Sequence, residues 1–367
     1  MFIYIRIIEK YEVINKLLDY IDHLTEELYP ETIQLIKANR NIFFKDHSSA
    51  ILFYSLIIHS CYINFKKFEL NLNIIVDFSN EIKNAKTTEN ELIQISLFYF
   101  KSIYYLYSKQ FFSIDSIIEQ STSLIFLFIY FWPEIDQNDH EYAQIREKDP
   151  YLNSDDPQNQ REIEFFKKIK ENPEKHILNR KNGYHPSSLH KSIREDDIEA
   201  FQSIISKNNI NFNYIIEYSY YERTPFFQED LTLIQIAAIY GSIKIFKFLM
   251  IQNENINKEN LLEYSYFGRN YEIIHLCEKE YKFSEKVYLQ AIKTHQNDLL
   301  SYYIDNFCDQ ITEDEDVENL LSDFVYEEKE VSNDENECYK YLNYESLIVA
   351  SESHNYKIIL NCLEKIV

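Results

Sequence analysis

The chain has 367 residues, of which 45% are hydrophobic, so it can bury a large core and is not a disordered protein. With only 3 glycines and 7 prolines it lacks the turn residues of an all-β fold and the glycine-rich loops that hold phosphate groups. A net charge of −23 argues against a nucleic-acid-binding protein, which needs a basic face, so we expect no nucleic acid as a partner.

Residues 1–135 carry apolar side chains three and four positions apart, which is typical of amphipathic helices. Thr88 followed by Glu91 has the spacing of a helix-capping box. The most apolar stretch, Leu124–Trp132, is too short for a membrane span and is followed by Pro133, so we expect a buried helix that ends there and no membrane span. After a first helix from Glu9 we predict helices at Ser48–Ile63, Phe68–Ile82, Glu89–Tyr107 and Ser113–Trp132.

Residues 136–160 differ from the sequence on either side. They are polar, contain Pro150 and Pro157, and lack periodic apolar positions. Such a stretch is typical of a linker or surface loop. We therefore predict a polar linker between an N-terminal helical region, residues 1–135, and a second region, residues 161–367.

Five segments of the second region align without internal gaps. Each has a small residue at its sixth position and a short polar turn at its tenth and eleventh positions. Two of them begin with residues that have the spacing of a capping box, Thr232 with Gln235 and Asn260 with Glu263. The pattern predicts helical hairpins, which must stack because one hairpin cannot cover its own apolar face. The small residues are Ser192, Ala237, Ser265, Ala291 and Ala350. The predicted hairpin cores are residues 187–205, 232–250, 260–278, 286–304 and 345–363.

The second segment, Thr232–Leu249, resembles an ankyrin repeat, of which its sequence TLIQIAAIYGSIKIFKFL is a degenerate form. The first segment keeps the Leu-His pair of the family motif as Leu189 and His190. The resemblance covers roughly residues 185–367. The layout as a whole is similar to a branch of ankyrin-repeat proteins, expanded in some protists, in which a helical region of unknown function precedes the repeats. The repeats depart from the family in their irregular spacing and in having no intact Thr-Pro pair.

The resemblance implies an all-α fold: a helical-hairpin solenoid of ankyrin-like repeats with an N-terminal α-helical region. It implies a scaffold or adaptor that binds a protein or peptide on the concave face of the array. It also implies that His190 braces the turn through a backbone hydrogen bond, while we expect His185 to be exposed and without a role. The residues that the alignment places on the concave face, and that we predict to contact a partner, are Lys191, Arg194, Tyr240, Tyr264, Phe267 and Lys293.

Two insertions interrupt the predicted array. The first, Asn211–Asp230, is rich in Tyr and Phe, and it either anchors a partner or folds back over the apolar groove between the repeats and the N-terminal helices. The second, residues 308–344, carries 12 acidic residues against one lysine between Glu313 and Glu337. It is typical of a solvated insertion, and the alternative is a site for a basic peptide.

No catalytic, nucleotide-binding or metal-binding motif stands out in the sequence. The five cysteines are scattered without the spacing of a zinc site, so we expect free thiols in a reducing compartment. We therefore predict a protein that is not an enzyme, that needs no cofactor or metal, and that is an intracellular, cytoplasmic monomer. Two alternatives stay open: an enzyme with an unrecognised site in the N-terminal half, and a purely structural or regulatory acidic solenoid.

Overall fold

The fold is almost entirely helical. The computed structural model describes residues 2–97, 99–222, 230–252, 260–279, 285–297 and 299. In this part of the chain there are 20 α-helices, three short 3-10 helices and one two-stranded sheet. The expectation of a mainly α-helical fold is therefore confirmed.

The described residues form two compact units. The N-terminal unit consists of the described residues within Leu17–Lys191 and Ile216–Leu231. The hairpin unit consists of those within Met1–Lys16, Ser192–Ile215 and Thr232–Val367. The first thirteen α-helices in chain order are α1 (Phe2–Asp22), α2 (Tyr29–Ala38), α3 (Arg40–Phe43), α4 (His47–Ile63), α5 (Phe68–Asp77), α6 (Ser79–Asn84), α7 (Glu89–Ser96), α8 (Phe100–Ser108), α9 (Ile114–Ser121), α10 (Ile125–Asn138), α11 (His140–Arg146), α12 (Gln160–Glu171) and α13 (Pro173–Asn182).

Local sequence signals place the helix starts of the N-terminal unit well, but the helices are shorter than predicted. The capping box at Thr88 is confirmed, because its hydroxyl accepts the Glu91 backbone N–H while the Glu91 carboxylate accepts the Thr88 N–H. The predicted helix Phe68–Ile82 is two helices, α5 and α6, that meet at Phe78. Phe78 is buried against Phe44 and Phe53, at ring-centroid distances of 5.5 and 6.1 Å, so tertiary packing overrides the continuous apolar pattern here.

The stretch predicted as a linker has regular structure. It contains the end of α10, the whole of α11, and a 3-10 helix at Pro150–Asn153. Trp132 Nε1 donates to Glu147 at 2.8 Å, and Arg146 donates to Asp149 at 2.6 Å. Residues 136–160 thus belong to the N-terminal unit and do not form a linker. The apolar pattern does not predict the regular structure of this stretch, because polar hydrogen bonds hold it in place and few of its apolar side chains are buried.

The second region begins with helical hairpins, as predicted. The remaining elements are α14 (Ser188–Arg194), α15 (Ile198–Asn208), β1 (Ile215–Ile216), β2 (Leu231–Thr232), α16 (Leu233–Tyr240), α17 (Ile243–Gln252), α18 (Leu261–Gly268), α19 (Tyr271–Glu278) and α20 (Glu285–Lys293). Three hairpins, α14–α15, α16–α17 and α18–α19, and the first helix of a fourth are described. Residues 298 and 300–304 of the fourth predicted hairpin, the fifth hairpin and the acidic insertion 308–344 lie outside the described residues.

One of the two predicted capping boxes in the hairpins forms. Thr232 and Gln235 form the reciprocal pair, with the Thr232 N–H donating to the Gln235 side chain at 2.9 Å. The prediction for Asn260 and Glu263 is wrong, because Asn260 has a left-handed backbone (φ 58°) and its side chain makes no capping bond. A capping side chain needs an extended backbone at the N-cap, which Asn260 lacks.

No single helix among the described residues is long and apolar enough to cross a membrane. Two consecutive segments, His47–Cys61 and Phe65–Asp77, pass the same test of length and composition only as a pair, and the chain bends by 106° between them.

Candidate protein-binding surface

The turns between the paired helices have one shared geometry. In each of the four described segments the tenth position has a left-handed backbone, at Asp196 (φ 51°), Gly241 (67°), Arg269 (50°) and His295 (56°). Each of these residues donates its N–H to the carbonyl three residues earlier, at 3.0 to 3.3 Å. Only glycine adopts this conformation without cost, so its recurrence at three other residue types means that the hairpin enforces it. The four segments are therefore equivalent units in the register of the sequence alignment.

Side chains of each turn bind the backbone of the neighbouring turn. The Ser242 hydroxyl donates to the Ile193 carbonyl at 2.5 Å, and the Asn270 amide donates to the Gly241 carbonyl at 3.0 Å. The Gln296 amide continues the series to the Tyr266 carbonyl. We refer to these bonds as the inter-turn hydrogen bonds. They fix the spacing of successive hairpins, because each joins a side chain of one turn to a backbone carbonyl at the end of the neighbouring first helix.

Two further bonds run between turns. The Asp196 carboxylate accepts the backbone N–H groups of Lys244 and Ile245, both at 3.1 Å, so it caps α17 of the next hairpin. Arg269 donates to the Thr294 carbonyl at 2.6 Å. The alignment located these turn residues but did not predict their contacts, since a single repeat contains no information about its neighbour.

The predicted contact residues separate into exposed cations and buried aromatics. Lys191 and Lys293 are exposed, and the Arg194 side chain keeps 18% of its surface accessible. The aromatic residues, in contrast, are 2% (Tyr240), 6% (Tyr264) and 3% (Phe267) exposed.

The burial of the three aromatics corrects the prediction that they line an accessible surface. All eight residues of α16 and seven of the eight in α18 are buried. Both helices are therefore covered on nearly every side, and their aromatic side chains are core residues.

Part of the aromatic insertion packs within the N-terminal unit. Tyr220 lies against Phe126 and Phe165, with ring centroids 4.9 and 4.5 Å away, and Tyr221 lies 5.5 Å from Phe165. These contacts favour the alternative in which the insertion folds back over helices. Tyr214 in the same insertion is 49% exposed, and Phe226 and Phe227 lie outside the described residues.

The two histidines of the first segment lie together. Their rings stack 4.6 Å apart, and His190 Nδ1 is 3.7 Å from a Glu222 carboxylate oxygen. His185 is half-buried and has bonding partners: its N–H donates to Glu222 at 2.8 Å and its ring Nε2 donates to the Glu217 carbonyl at 3.0 Å. His185 thus differs from the exposed residue without a role that we expected, while the backbone bond implied for His190 stays a prediction.

The N-terminal unit contains a buried polar cluster that the sequence analysis missed. Arg180 donates to the Tyr130 carbonyl at 2.7 Å and to the Glu134 carboxylate at 2.5 Å, and its side chain is fully buried. His176 Nε2 donates to the same carbonyl at 2.9 Å. Pro133 has no N–H for the Ile129 carbonyl four residues earlier, whereas the carbonyl that the α13 donors reach is that of the next residue, Tyr130. Helix α10 continues past Pro133 to Asn138, so our expectation that it ends at Pro133 is wrong.

The histidine of this cluster is held neutral. Burial lowers the pKa of His176 to about 3, and the charge of Arg180 adds to the effect. The neutral ring donates from Nε2, so Nδ1 accepts the Tyr221 hydroxyl at 3.1 Å. The available sequence signal was the four-residue spacing of His176 and Arg180, which places both on one helix face. Within the described residues, no group of three or more His, Cys, Asp or Glu side chains is arranged to hold a metal ion.

Comparison with known families gives one match. Residues 252–350 match a family described as a domain of unknown function (DUF3447), a domain often associated with ankyrin repeats. The matched range includes α18, α19 and α20 and covers less than half of the chain. No curated protein and no solved structure matches the chain significantly.

Proposed function

We propose that the chain is a protein-binding scaffold in which ankyrin-like hairpins form a continuous array and a protein or peptide partner binds on the concave face of that array. The observation that carries this proposal is the series of equivalent turns joined by inter-turn hydrogen bonds. Stacked units of this kind make an extended, rigid surface, which is what such proteins use for binding. The match to a domain often associated with ankyrin repeats supports the same proposal.

The accessible cations of the first helices are the proposed contact residues. Arg194 at the end of α14 and Lys293 at the end of α20 occupy the same, eighth, position of their segments. The eighth positions of the second and third segments are the buried Ile239 and Phe267, so the two cations mark the first and the fourth unit of the array. We propose that both contact the partner. Cations favour a partner with acidic side chains, and arginine is among the residues that contribute most at interfaces.

The location and state of the protein form part of the proposal. We propose an intracellular, cytoplasmic monomer that binds its partner without a cofactor and without catalysis. Cys61 and Cys277 are free thiols buried in the described structure, which is typical of proteins in a reducing compartment.

The test is affinity capture from native lysate with quantitative mass spectrometry. The bait is the full chain, as wild type and as the double variant Arg194→Ala/Lys293→Ala. A matched control, Lys207→Ala/Lys279→Ala, removes the same charge from exposed lysines at the ends of the second helices α15 and α19. We expect a partner that binds wild type and the control and is lost with the first-helix variant.

Two results would contradict the proposal. Equal capture by both variants places the interaction away from the first helices. The absence of any specific partner favours the enzyme or the purely structural alternative, and activity screening would then follow.

A further inference from the structure

The N-terminal unit contains a buried lysine on helix α8. Lys101 is 5% exposed, and it is the one buried lysine among the described residues of this unit. An ammonium group taken out of water loses its hydration, so its surroundings have to replace what water provides. The contacts of the Lys101 Nζ atom therefore show what kind of site surrounds it.

Two aromatic rings enclose the ammonium group of Lys101. Its Nζ atom lies 3.6 Å from the centroid of the Phe68 ring and 3.8 Å from that of the Tyr184 ring. Phe68 is the first residue of α5 and Tyr184 follows the end of α13, so the two rings come from distant parts of the sequence. The face of an aromatic ring is negative and attracts a cation within about 6 Å, more strongly where water is excluded. Two rings around one cation form an aromatic cage.

The backbone at Gly183 forms a third side of this cage. A methyl group at Gly183 would lie 2.7 Å from Cδ and 2.9 Å from Nζ of Lys101, so the glycine leaves room for the lysine stem. The Phe68 ring is held in turn by Tyr99 and Tyr105, which contact it edge to face at centroid distances of 6.2 and 5.6 Å. The cage therefore has fixed walls and a channel for a straight methylene chain.

We propose that Phe68, Tyr184 and Gly183 form a binding site for a primary alkylammonium ion, and that Lys101 of the chain itself occupies it. We refer to these three residues as the ammonium site. Carbon atoms in contact are about 3.5–4.0 Å apart, so rings this close to the nitrogen leave no room for methyl groups on it. The site thus takes a primary ammonium ion and excludes a quaternary one.

The occupied site joins three segments of the N-terminal unit: α5, α8 and the residues that follow α13. It uses no residue of the hairpins, so it stands or falls independently of the partner-binding proposal. An emptied site should accept a free ion of the same chemistry, which makes the assignment testable.

Chemical rescue of Lys101→Ala in the full chain by n-propylammonium tests the ammonium site. The substitution removes Cγ, Cδ, Cε and Nζ, which are the heavy atoms of n-propylammonium. Urea unfolding followed by circular dichroism, at constant ionic strength, measures the stability of the variant as the ion is titrated. At a concentration about ten times its Kd, the ion should raise the ratio of folded to unfolded variant about tenfold. The neutral analogue 1-propanol and the wider tetramethylammonium ion should not, and wild type should not respond to any of the three.

Lys109→Ala is the matched control. It removes the same atoms from an exposed lysine whose Nζ atom lies 5.3 Å from the centroid of the Tyr105 ring, and n-propylammonium should leave its stability unchanged. Adding Phe68→Leu to Lys101→Ala keeps an apolar wall but removes one ring of the cage. The affinity for n-propylammonium should then fall about tenfold.

Lys101→Met provides a second test that does not need an empty site to fold. Methionine fills the channel without a charge, so the ratio of folded to unfolded chain should be about tenfold higher for wild type than for this variant. A methionine variant as stable as wild type would overturn the proposal. So would a Lys101→Ala variant that responds equally to n-propylammonium and 1-propanol, or to neither.

Discussion

A methyl group at Gly268 of α18 would lie 2.1 Å from the carbonyl oxygen of Ala238 in α16 and 2.7 Å from the backbone nitrogen of Gly241. The backbones of these two first helices are therefore in direct contact. Such an approach is possible only where a residue has no side chain. The tight stacking of the second and third hairpins thus depends on Gly268 and on Gly241, where an added methyl group would lie 2.6 Å from the Gly268 carbonyl oxygen.

The first prediction concerns Gly268→Ala. Helix propensity alone favours alanine by about 1 kcal/mol. The close contact between α16 and α18 predicts the opposite effect: the free energy of unfolding should fall by about 1–3 kcal/mol, because the added methyl group forces the two helices apart. Urea unfolding followed by circular dichroism measures the change. Lys279→Ala, at an exposed position after α19, serves as the control and should have little effect. A Gly268→Ala variant more stable than wild type would contradict the packing of α16 on α18.

The second prediction concerns Asp196, which combines a left-handed backbone with the cap of α17. Asp196→Gly removes the carboxylate, and glycine, like aspartate, is tolerated in the left-handed region, so we expect a loss of about 1 kcal/mol from the missing cap. Asp196→Ala loses the cap and also places an alanine in the left-handed region, which adds roughly 1–2 kcal/mol. The order of unfolding midpoints should therefore be wild type, then glycine, then alanine.

The neighbouring Glu195 provides the control for Asp196. It is exposed and forms a 3.4 Å ion pair with Arg194. Glu195→Ala should change the unfolding free energy by less than about 0.5 kcal/mol. If the two Asp196 variants unfold together with the wild type, the carboxylate does not cap the next hairpin.

The sequence was informative wherever the cause of a structure is local. The capping boxes at Thr88 and Thr232 and the turn position shared by Asp196 and Gly241 each depend on a few consecutive residues. The aromatic contact residues could not be predicted, because the alignment places Tyr264 on a helix face but does not determine what covers that face. The same holds for Phe78, whose burial breaks a helix that the apolar pattern alone would continue.

The third prediction concerns the buried Arg180. Its planar guanidinium reaches the Tyr130 carbonyl with one nitrogen and Glu134 with another, and it lies 4.4 Å from the Tyr104 ring centroid. Lysine keeps the charge but cannot reproduce two directed donors and a stacked plane. We expect Arg180→Lys to cost about 1–3 kcal/mol in the free energy of unfolding, since a buried acceptor loses its partner.

Lys181 is the matched control for Arg180, because it is adjacent in the sequence and exposed. Lys181→Arg, the reverse exchange, should leave the unfolding free energy unchanged within about 0.5 kcal/mol. Equal stability of Arg180→Lys and wild type would mean that the cluster contributes charge alone and that its geometry is unimportant.

The last prediction is a pH dependence that originates at His176. The native pKa is about 3, whereas an imidazole in the unfolded chain has a pKa of about 6.5. Between these values the unfolded chain binds a proton that the native protein does not, so acid favours unfolding. The contribution of His176 to the free energy of unfolding is fully present above about pH 6.5 and is lost by about 1.4 kcal/mol per pH unit as the pH falls towards 3.

The variant His176→Gln tests this pH dependence, because it keeps a donor for the Tyr130 carbonyl and removes the titration. As the pH is lowered from about 7.5 to about 4.5, the free energy of unfolding in urea should therefore fall more steeply for wild type than for His176→Gln. Parallel curves for wild type and His176→Gln would show that folding does not lower the pKa of His176, and the lowered pKa of the buried ring would then be wrong.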